Sequence, residues 1–239
     1  MVFGPNWSRA LCLGCARLST LGHDVLPEWI LAMIALESAG TWDPKVLQGR
    51  ARLVPASGPK DMRPEVACTG GPGRPLLRLS HGSGAKGLFQ VMPTRQERKV
   101  LPDLLTLYAE EDPLAQLAHK IRALADWSIR HRVGGYKSRA ALYCANLAPA
   151  RLVGGAYDDD TILYSADPAD APLNDRPNGA RTFWPAGYRM NAAPFDLDPA
   201  DPKGKLRMRH LDRGLDKAVA ASRARYDAEV AAAYVANIR

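Results

Sequence analysis

The stretch Trp29-Ile-Leu-Ala-Met-Ile-Ala-Leu-Glu37-Ser38-Ala-Gly40 is the most apolar in the chain, and a carboxylate lies near its end. Pro27 suits the first turn of a helix, and Gly40 suits the position just after a helix ends. The stretch therefore predicts a helix over about 25–39. Because its residues are apolar nearly all round, we expect this helix to be buried.

Glu37 is the candidate catalytic residue of this helix. Ile30, Met33 and Ile34 precede it at helical spacing and share its face. These apolar surroundings and the negative end of the helix dipole both disfavour the carboxylate, so they raise the pKa of Glu37. A carboxylic acid that stays protonated near neutral pH can act as a general acid. The alternative is a partly exposed glutamate at a helix end with an ordinary pKa.

The composition limits the kind of protein and its partners. The chain has 239 residues and a formal charge of +7, which favours polyanionic partners such as cell-wall polymers, nucleic acid or anionic lipid. A solvated basic surface is the alternative, and the basic stretch 207–225 supports no specific nucleic-acid binding. No run of about 18 apolar residues predicts a membrane span. The first residues do not resemble an export signal, so we expect synthesis and folding in a bacterial cytoplasm.

Neither a metal nor a cofactor is predicted. Cys12 and Cys15 form a CxxC motif, but no second Cys or His pair completes a zinc site, so free buried thiols are expected. The stretch from Asp196 to Leu206 has the Asp-rich start of a calcium loop. Its prolines and the lack of a closing glutamate favour a capped turn instead.

The remaining patterns predict an all-α protein. Strand signals are scarce, apart from a short strand or turn near Leu76–Leu79 in a long irregular insertion at about 45–84. An extension from 153 carries aromatic residues that we expect to hold it against the helical domain: Tyr164, Phe183, Trp184, Tyr188 and Phe195. Further helices are predicted over 8–22 and, as one or two helices, over 206–238. Another is predicted from the Asp112-Pro113 cap to His131, where Gly134-Gly135 follow. A fourth is predicted from the Ser138 cap to Asn146.

Three segments carry a family resemblance through their order. They are Leu36-Glu37-Ser38, Ala85-Lys-Gly87-Leu88-Phe89-Gln90-Val91-Met92-Pro93 and Leu142-Tyr143-Cys-Ala-Asn146-Leu-Ala-Pro149. Over about 25–152 the chain resembles the goose-type-lysozyme-like soluble lytic transglycosylases, of the glycoside hydrolase family 23 type. That family has a helix-ending Glu-Ser, then Gly-Leu-Met-Gln-(hydrophobic)-Met-Pro, then Ala-Tyr-Asn-Ala-Gly-Pro.

This resemblance implies a lysozyme-like helical domain at 1–152 with the insertion at about 45–84, followed by the extension at 153–239, which ends in helix. Two departures stand out. Glu37 and Gly87 lie farther apart than their counterparts in the family, because of the insertion. When Asn146 is aligned on the family asparagine, Ala145 stands where the tyrosine belongs, and Tyr143 would supply the hydroxyl from a shifted position.

The resemblance also implies an activity that needs no cofactor. Glu37 would protonate the β-1,4 bond between N-acetylmuramic acid and N-acetylglucosamine and then deprotonate the C6 hydroxyl, which gives 1,6-anhydromuramyl ends. Glycosidases ordinarily use a second carboxylate. The candidates carry no strong signal, since Asp43 suits a turn and the others suit solvated surfaces: Asp61, Glu65 and Glu97.

Five further residues have roles implied by the resemblance. Ser38 would orient Glu37 or a substrate hydroxyl, with an ordinary helix-end serine as the alternative. Gly87 would let the backbone approach the glycan, and Gln90 would hydrogen-bond its acetamido or hydroxyl groups. Tyr143 and Asn146 would line the cleft near Glu37, with core packing as the alternative for Tyr143.

The biological setting that we expect is a bacteriophage. The protein would be a virion component that opens the periplasmic wall and contacts peptidoglycan strands, with other virion or tail proteins bound through the extension. The alternatives are a peptidoglycan hydrolase (muramidase) endolysin and an inactive lysozyme-like structural tail protein.

Overall fold

The computed structural model describes residues 3–46, 53–55, 77–79, 87–90, 112–152, 157–170, 185, 187–189, 191–192, 194–195 and 204–238. Most of these residues are helical, which confirms the all-α class. The helices are α1 (Pro5–Ser19), α2 (Pro27–Glu37), α3 (Pro113–His131), α4 (Arg139–Leu147), α5 (Met208–Ala221) and α6 (Arg223–Ile238). Short 3₁₀ turns span Pro149–Leu152 and Pro168–Asp170. Within these ranges no helix is long and apolar enough to cross a bilayer.

Helix α2 is the buried helix that the sequence predicts. Its residues 30–35 are all fully buried. Pro27 opens the helix, where a missing backbone N–H costs nothing. The chain leaves α2 through residues with positive φ, including Ala39 at +50° and Gly40 at +74°. The amide of Gly40 closes the end by donating to the Ala35 carbonyl at 2.8 Å. Glu37 is thereby held at the last turn of a buried helix.

The caps of α3 and α4 follow the local sequence signals. The Asp112 side chain accepts a hydrogen bond from the Leu114 amide at 3.0 Å, and Ser138 accepts one from the Ala141 amide at 3.1 Å. Helix α3 ends in a left-handed residue, Arg132 with φ +50°. The end comes before Gly134-Gly135, so the glycines are not the cap that the sequence suggests. The Ser138 cap fixes the start of α4, the helix that carries Tyr143 and Asn146.

The C-terminal helices belong to the main core. Helix α2 packs against both α5 and α6, and α1 packs against α3 and α6. One apolar cluster runs from Trp7 on α1 to Ala233 on α6. The predicted division at 152/153 therefore coincides with no break in the core of the described residues. The stretch 206–238, for which the sequence predicts one or two helices, forms two at the bounds given above.

Two small antiparallel ribbons complete the described structure. Strand β1 (Leu53–Pro55) pairs with β2 (Leu77–Leu79), which places a strand where the sequence predicts a strand or turn in the insertion. Strand β3 (Ile162–Ser165) pairs with β4 (Lys205–Arg207), which leads directly into α5. The second ribbon ties the start of the extension to its last helices.

The aromatics of the extension act as the predicted anchors where the structure describes them. Tyr164 and Phe195 are buried, and Tyr188 is half-buried against the same core. Phe183 and Trp184 lie outside the described residues. Phe195 packs closely on α5, since a Cβ built on Gly214 would lie 2.3 Å from its ring.

Candidate functional site

Glu37 lies at the junction of α2 and α4, with its carboxyl group at the densely packed inner end of a half-buried side chain. Desolvation by burial raises the pKa of Glu37 above its ordinary value, and this is the largest effect on the group. A hydrogen bond from Tyr143, the charge of Lys120 and a hydrogen bond from Asn146 act in the opposite direction. Burial outweighs all three. The sign agrees with the sequence argument, and its main cause is desolvation.

Tyr143 and Asn146 both donate hydrogen bonds to Oε1 of Glu37. The hydroxyl of Tyr143 is 2.8 Å from that oxygen, and Nδ2 of Asn146 is 2.5 Å from it. The two residues are three positions apart on α4, so they share one face of the helix. Burial and the neighbouring Glu37 raise the pKa of Tyr143 well above its ordinary value, so the phenol keeps its proton and remains a donor. The tyrosine that the sequence places off the family position thus reaches the glutamate.

Both hydrogen bonds that the described residues give Glu37 fall on the same oxygen. In a protonated carboxyl group the carbonyl oxygen accepts hydrogen bonds and the hydroxyl oxygen donates. With two donors on Oε1, a protonated Glu37 would carry its proton on Oε2. The arrangement therefore defines which oxygen atom could donate a proton.

Lys120 of α3 is a member of the site that sequence reasoning missed. Its Nζ donates a hydrogen bond to Oδ1 of Asn146, although the residue is only 7% exposed. The same Nζ lies 5.9 Å from the centre of the Phe89 ring. A signal was present, because Leu117 and Leu124 put Lys120 on the apolar face of α3. A lysine in such a position is unusual and needs a partner.

Gly87 makes room for a side chain of the protein. Its φ is +83°, and a Cβ built on it would lie 2.4 Å from Oε1 of Gln116. That oxygen accepts a hydrogen bond from the Leu88 amide at 2.8 Å, and Nε2 of Gln116 donates to the Pro44 carbonyl at 2.8 Å. Gln116, which sequence reasoning also missed, thus joins the Gly87 turn to Pro44 in the segment that follows α2. The close approach at Gly87 in this structure is to Gln116, whereas the sequence assigned it to a glycan.

Gln90 closes the same turn, and within the described residues the structure shows no hydrogen bond between it and Glu37. Its Nε2 donates to the carbonyls of Gly87 at 3.0 Å and Val46 at 3.3 Å, and its φ is +44°. The residue is half-buried, so a sugar contact through its remaining surface stays a prediction. Phe89 of the same turn has its ring centre 5.9 Å from Nζ of Lys120.

Ser38 differs from the role that the resemblance implies. It is fully buried, its hydroxyl donates to the Ile34 carbonyl at 2.7 Å, and the same oxygen accepts from the Trp42 amide at 3.1 Å. These backbone contacts match the alternative of a helix-end serine. Ser38 thus stabilises the turn after α2 through backbone hydrogen bonds, and it is not exposed to solvent.

Phe195 also belongs to the surroundings of Glu37, through Tyr143. The two rings meet edge to face, with centroids 5.9 Å apart and planes at 63°. Such pairs favour a fixed mutual orientation. A residue of the extension therefore limits how the Tyr143 ring can turn while its hydroxyl contacts the glutamate.

The other candidate carboxylates and ligands stay apart from this site or lie outside the described residues. Asp43 is exposed and accepts from the Lys45 amide at 2.9 Å, which is the capped turn that the sequence favours. The described residues contain no cluster of three or more His, Cys, Asp or Glu side chains able to hold a metal. The CxxC thiols are free, and Cys12 donates to the Ala233 carbonyl. The candidate carboxylates that lie outside the described ranges are Asp61, Glu65, Glu97, Asp196, Asp198 and Asp201.

Comparison of the chain with protein-family models, with curated proteins and with solved structures finds no match.

Proposed function

We propose that the protein is a peptidoglycan lytic transglycosylase with a lysozyme-like arrangement around Glu37. The observation that supports this most is the environment of that carboxyl group. Burial raises its pKa, and Tyr143 and Asn146 donate to one of its two oxygens. A neutral, oriented carboxylic acid is what protonation of a glycosidic oxygen requires.

The proposed reaction uses Glu37 twice. In the first step the proton on Oε2 moves to the oxygen that links N-acetylmuramic acid to N-acetylglucosamine, and the bond from that oxygen to C1 breaks. The N-acetyl oxygen of the muramic sugar stabilises the positive charge at C1. In the second step the Glu37 carboxylate takes the proton of the C6 hydroxyl, and that oxygen bonds to C1. The glutamate is regenerated as an acid, and no water is consumed.

The two donors suit this alternation between acid and carboxylate. When Glu37 has lost its proton, Oε1 carries negative charge that Tyr143 and Asn146 stabilise at 2.8 and 2.5 Å. When Glu37 is protonated, the same bonds hold the carboxyl group in place. One arrangement therefore serves both halves of the reaction without a second carboxylate.

A hydrolase acting on the same bond is the nearest rival. Inverting and retaining glycosidases need a second carboxylate, several ångströms from the first. Among the described residues, Asp43 near the end of α2 is exposed and occupied in its own turn. This favours the single-carboxylate reaction. The other rival, an inactive structural protein, has no need of a buried carboxyl group with two donors.

Two measurements test the proposal. Glu37→Gln keeps an oxygen that can accept from Tyr143 and Asn146 but cannot supply a proton, so it should abolish clearing of purified cell walls. Mass spectrometry of muropeptides released by the wild type should show anhydromuramyl ends, which are lighter than reducing ends by one water. Equal clearing by the two proteins would reject the mechanism, and reducing ends would assign the protein to the hydrolases.

Association with a virion is a separate proposal. The aromatics Tyr164 and Phe195, which suggested an assembly segment, pack into the protein's own core and are not available to a partner. Detection of the protein in purified phage particles would test the association. Its absence from particles would favour the endolysin alternative.

A further inference from the structure

We infer that Lys120 is a positioning residue for Glu37. It acts through Asn146, because it fixes which end of the Asn146 side-chain amide faces the Glu37 carboxyl group. This inference rests on the proposed function only for its effect on wall clearing, because the orientation itself follows from hydrogen bonding. The four side chains form one connected chain of contacts: Lys120 to Asn146, Asn146 to Glu37, and Tyr143 to Glu37.

The orientation of the Asn146 amide follows from the chemistry of lysine. A lysine ammonium group has three donors and no acceptor. Because Nζ of Lys120 contacts the Asn146 amide, the amide must present its oxygen to the lysine. Its nitrogen then faces the other way, towards Oε1 of Glu37 at 2.5 Å. Lysine thus removes the ambiguity between the two orientations of an amide group.

Without Lys120, the side-chain amide of Asn146 would lose the contact that fixes its orientation. A freed amide could turn over and present Oδ1 to Glu37. With the proton of Glu37 moved to Oε1, the amide would then accept a hydrogen bond from that atom, to which it now donates. An acceptor stabilises the protonated acid, whereas the donor stabilises the carboxylate. The turn would therefore retain the proton that the proposed reaction has to release.

The surroundings of Lys120 hold its side chain in place. The residue is 7% exposed on the inner face of α3, and its Nζ lies 5.9 Å from the Phe89 ring centre. Gln116, one turn earlier on the same helix, is hydrogen-bonded to the Leu88 amide. The Gly87–Gln90 turn and α3 thus form one unit, which offers a structural use for the motif apart from contact with sugar.

The groups that act on the charge of Glu37 can be named from each neighbouring helix. Tyr143 of α4 and Lys120 of α3 act directly, and both favour the carboxylate. On the helices packed against α2, these titratable groups have partners other than Glu37: Tyr226 and Tyr234 with Glu28, Asp212 and Asp216 with Arg139, His210 with the Arg207 amide, Arg209 with Asp160, Arg223 with Asp227, and Arg225 with Glu229.

The test is a titration of the Glu37 carboxyl carbon by NMR in protein labelled at glutamate side chains, with the signal assigned by its loss in Glu37→Gln. Lys120→Met should raise the pKa of Glu37 and slow wall clearing at neutral pH by about tenfold, the effect of one charge-assisted hydrogen bond. Lys120→Arg, which keeps the charge and the donors, should restore both. Lys205→Met is the matched control, because that partly buried lysine pairs with Asp170.

A double-mutant cycle separates positioning from simple charge. If Lys120 works through Asn146, adding Lys120→Met to Asn146→Ala should shift the pKa of Glu37 less than Lys120→Met does alone. Additive shifts, or an unchanged Glu37 titration in a folded Lys120→Met protein, would overturn the inference. Lys120→Gln, which is polar and able to donate, serves if the methionine variant does not fold. The NMR result is independent of activity, so it remains decisive even if Glu37→Gln still clears walls.

Discussion

Removing the Tyr143 hydroxyl should slow wall clearing without disturbing the fold. Tyr143→Phe keeps the ring, which is 5% exposed and packed edge to face on Phe195, so no cavity is created. What disappears is the 2.8 Å hydrogen bond to Oε1 of Glu37. The carboxyl group then depends on Asn146 as its donor.

The size of the effect follows from how this bond changes during proton donation. A hydrogen bond to a charged group contributes about 1.5–3 kcal/mol, and one between neutral groups about 0.5–1.5 kcal/mol. The bond therefore favours the carboxylate over the acid by about 1–1.5 kcal/mol. If the transition state has the full charge, the rate falls roughly five- to twelvefold. The pKa of Glu37 should rise, because the lost bond is one of the effects that lower it.

The assay is the initial rate of turbidity loss in purified cell walls, measured from pH 4 to 9. Tyr136→Phe is the matched control, since it removes an equally buried hydroxyl that donates to the Leu124 carbonyl at 2.9 Å. The control should lose stability but keep its rate when folded. Equal rates for Tyr143→Phe and the wild type across this range would refute the reasoning, as would an equal loss in the control.

Two further predictions concern stability. Burial raises the folded-state pKa of Glu37 above its unfolded value of about 4.3. Above that pH the folded protein therefore binds more protons than the unfolded chain. The stability of the wild type is consequently lost as pH rises through the folded pKa. Glu37→Gln should therefore become more stable than the wild type as pH rises from 4 to 8 in urea unfolding, and a constant difference would contradict this. Gly87→Ala should lower the free energy of unfolding by about 2–5 kcal/mol, or Tm by about 5–15 °C, because it adds backbone strain and displaces Gln116 from the Leu88 amide. Gly22→Ala has nearly the same φ, +84°, but no atom within 4 Å of the added Cβ, so it should lose clearly less, and equal losses would exclude the Gln116 contact as the cause.

Features set by neighbouring residues could be predicted from the sequence. The caps at Asp112 and Ser138 form as expected, because an N-cap needs only a side-chain oxygen and a backbone amide two or three residues later. The burial of α2 follows from residues that are apolar on every side. The burial of Glu37 follows from its place at the end of that helix.

Contacts between distant residues could not be read in the same way. Lys120 and Asn146 are 26 positions apart, and Tyr143 and Glu37 are 106 apart, so their meeting depends on how whole helices pack. The apolar face of α3 could have singled out Lys120, but not named its partner. For Ser38 the sequence left two roles open, and its hydroxyl donates back along the helix to the Ile34 carbonyl, which matches the helix-end alternative.

The packing of α6 on α1 has a consequence for how the protein is made. Cys12 contacts the carbonyl of Ala233, a separation of 221 positions. During synthesis, the side of α1 that faces α6 cannot be covered until the residues of α6 have been made. Contacts of such long range slow folding and leave apolar surface open in the meantime. A nascent chain that stalls before α6 would therefore be a substrate for chaperones and proteases.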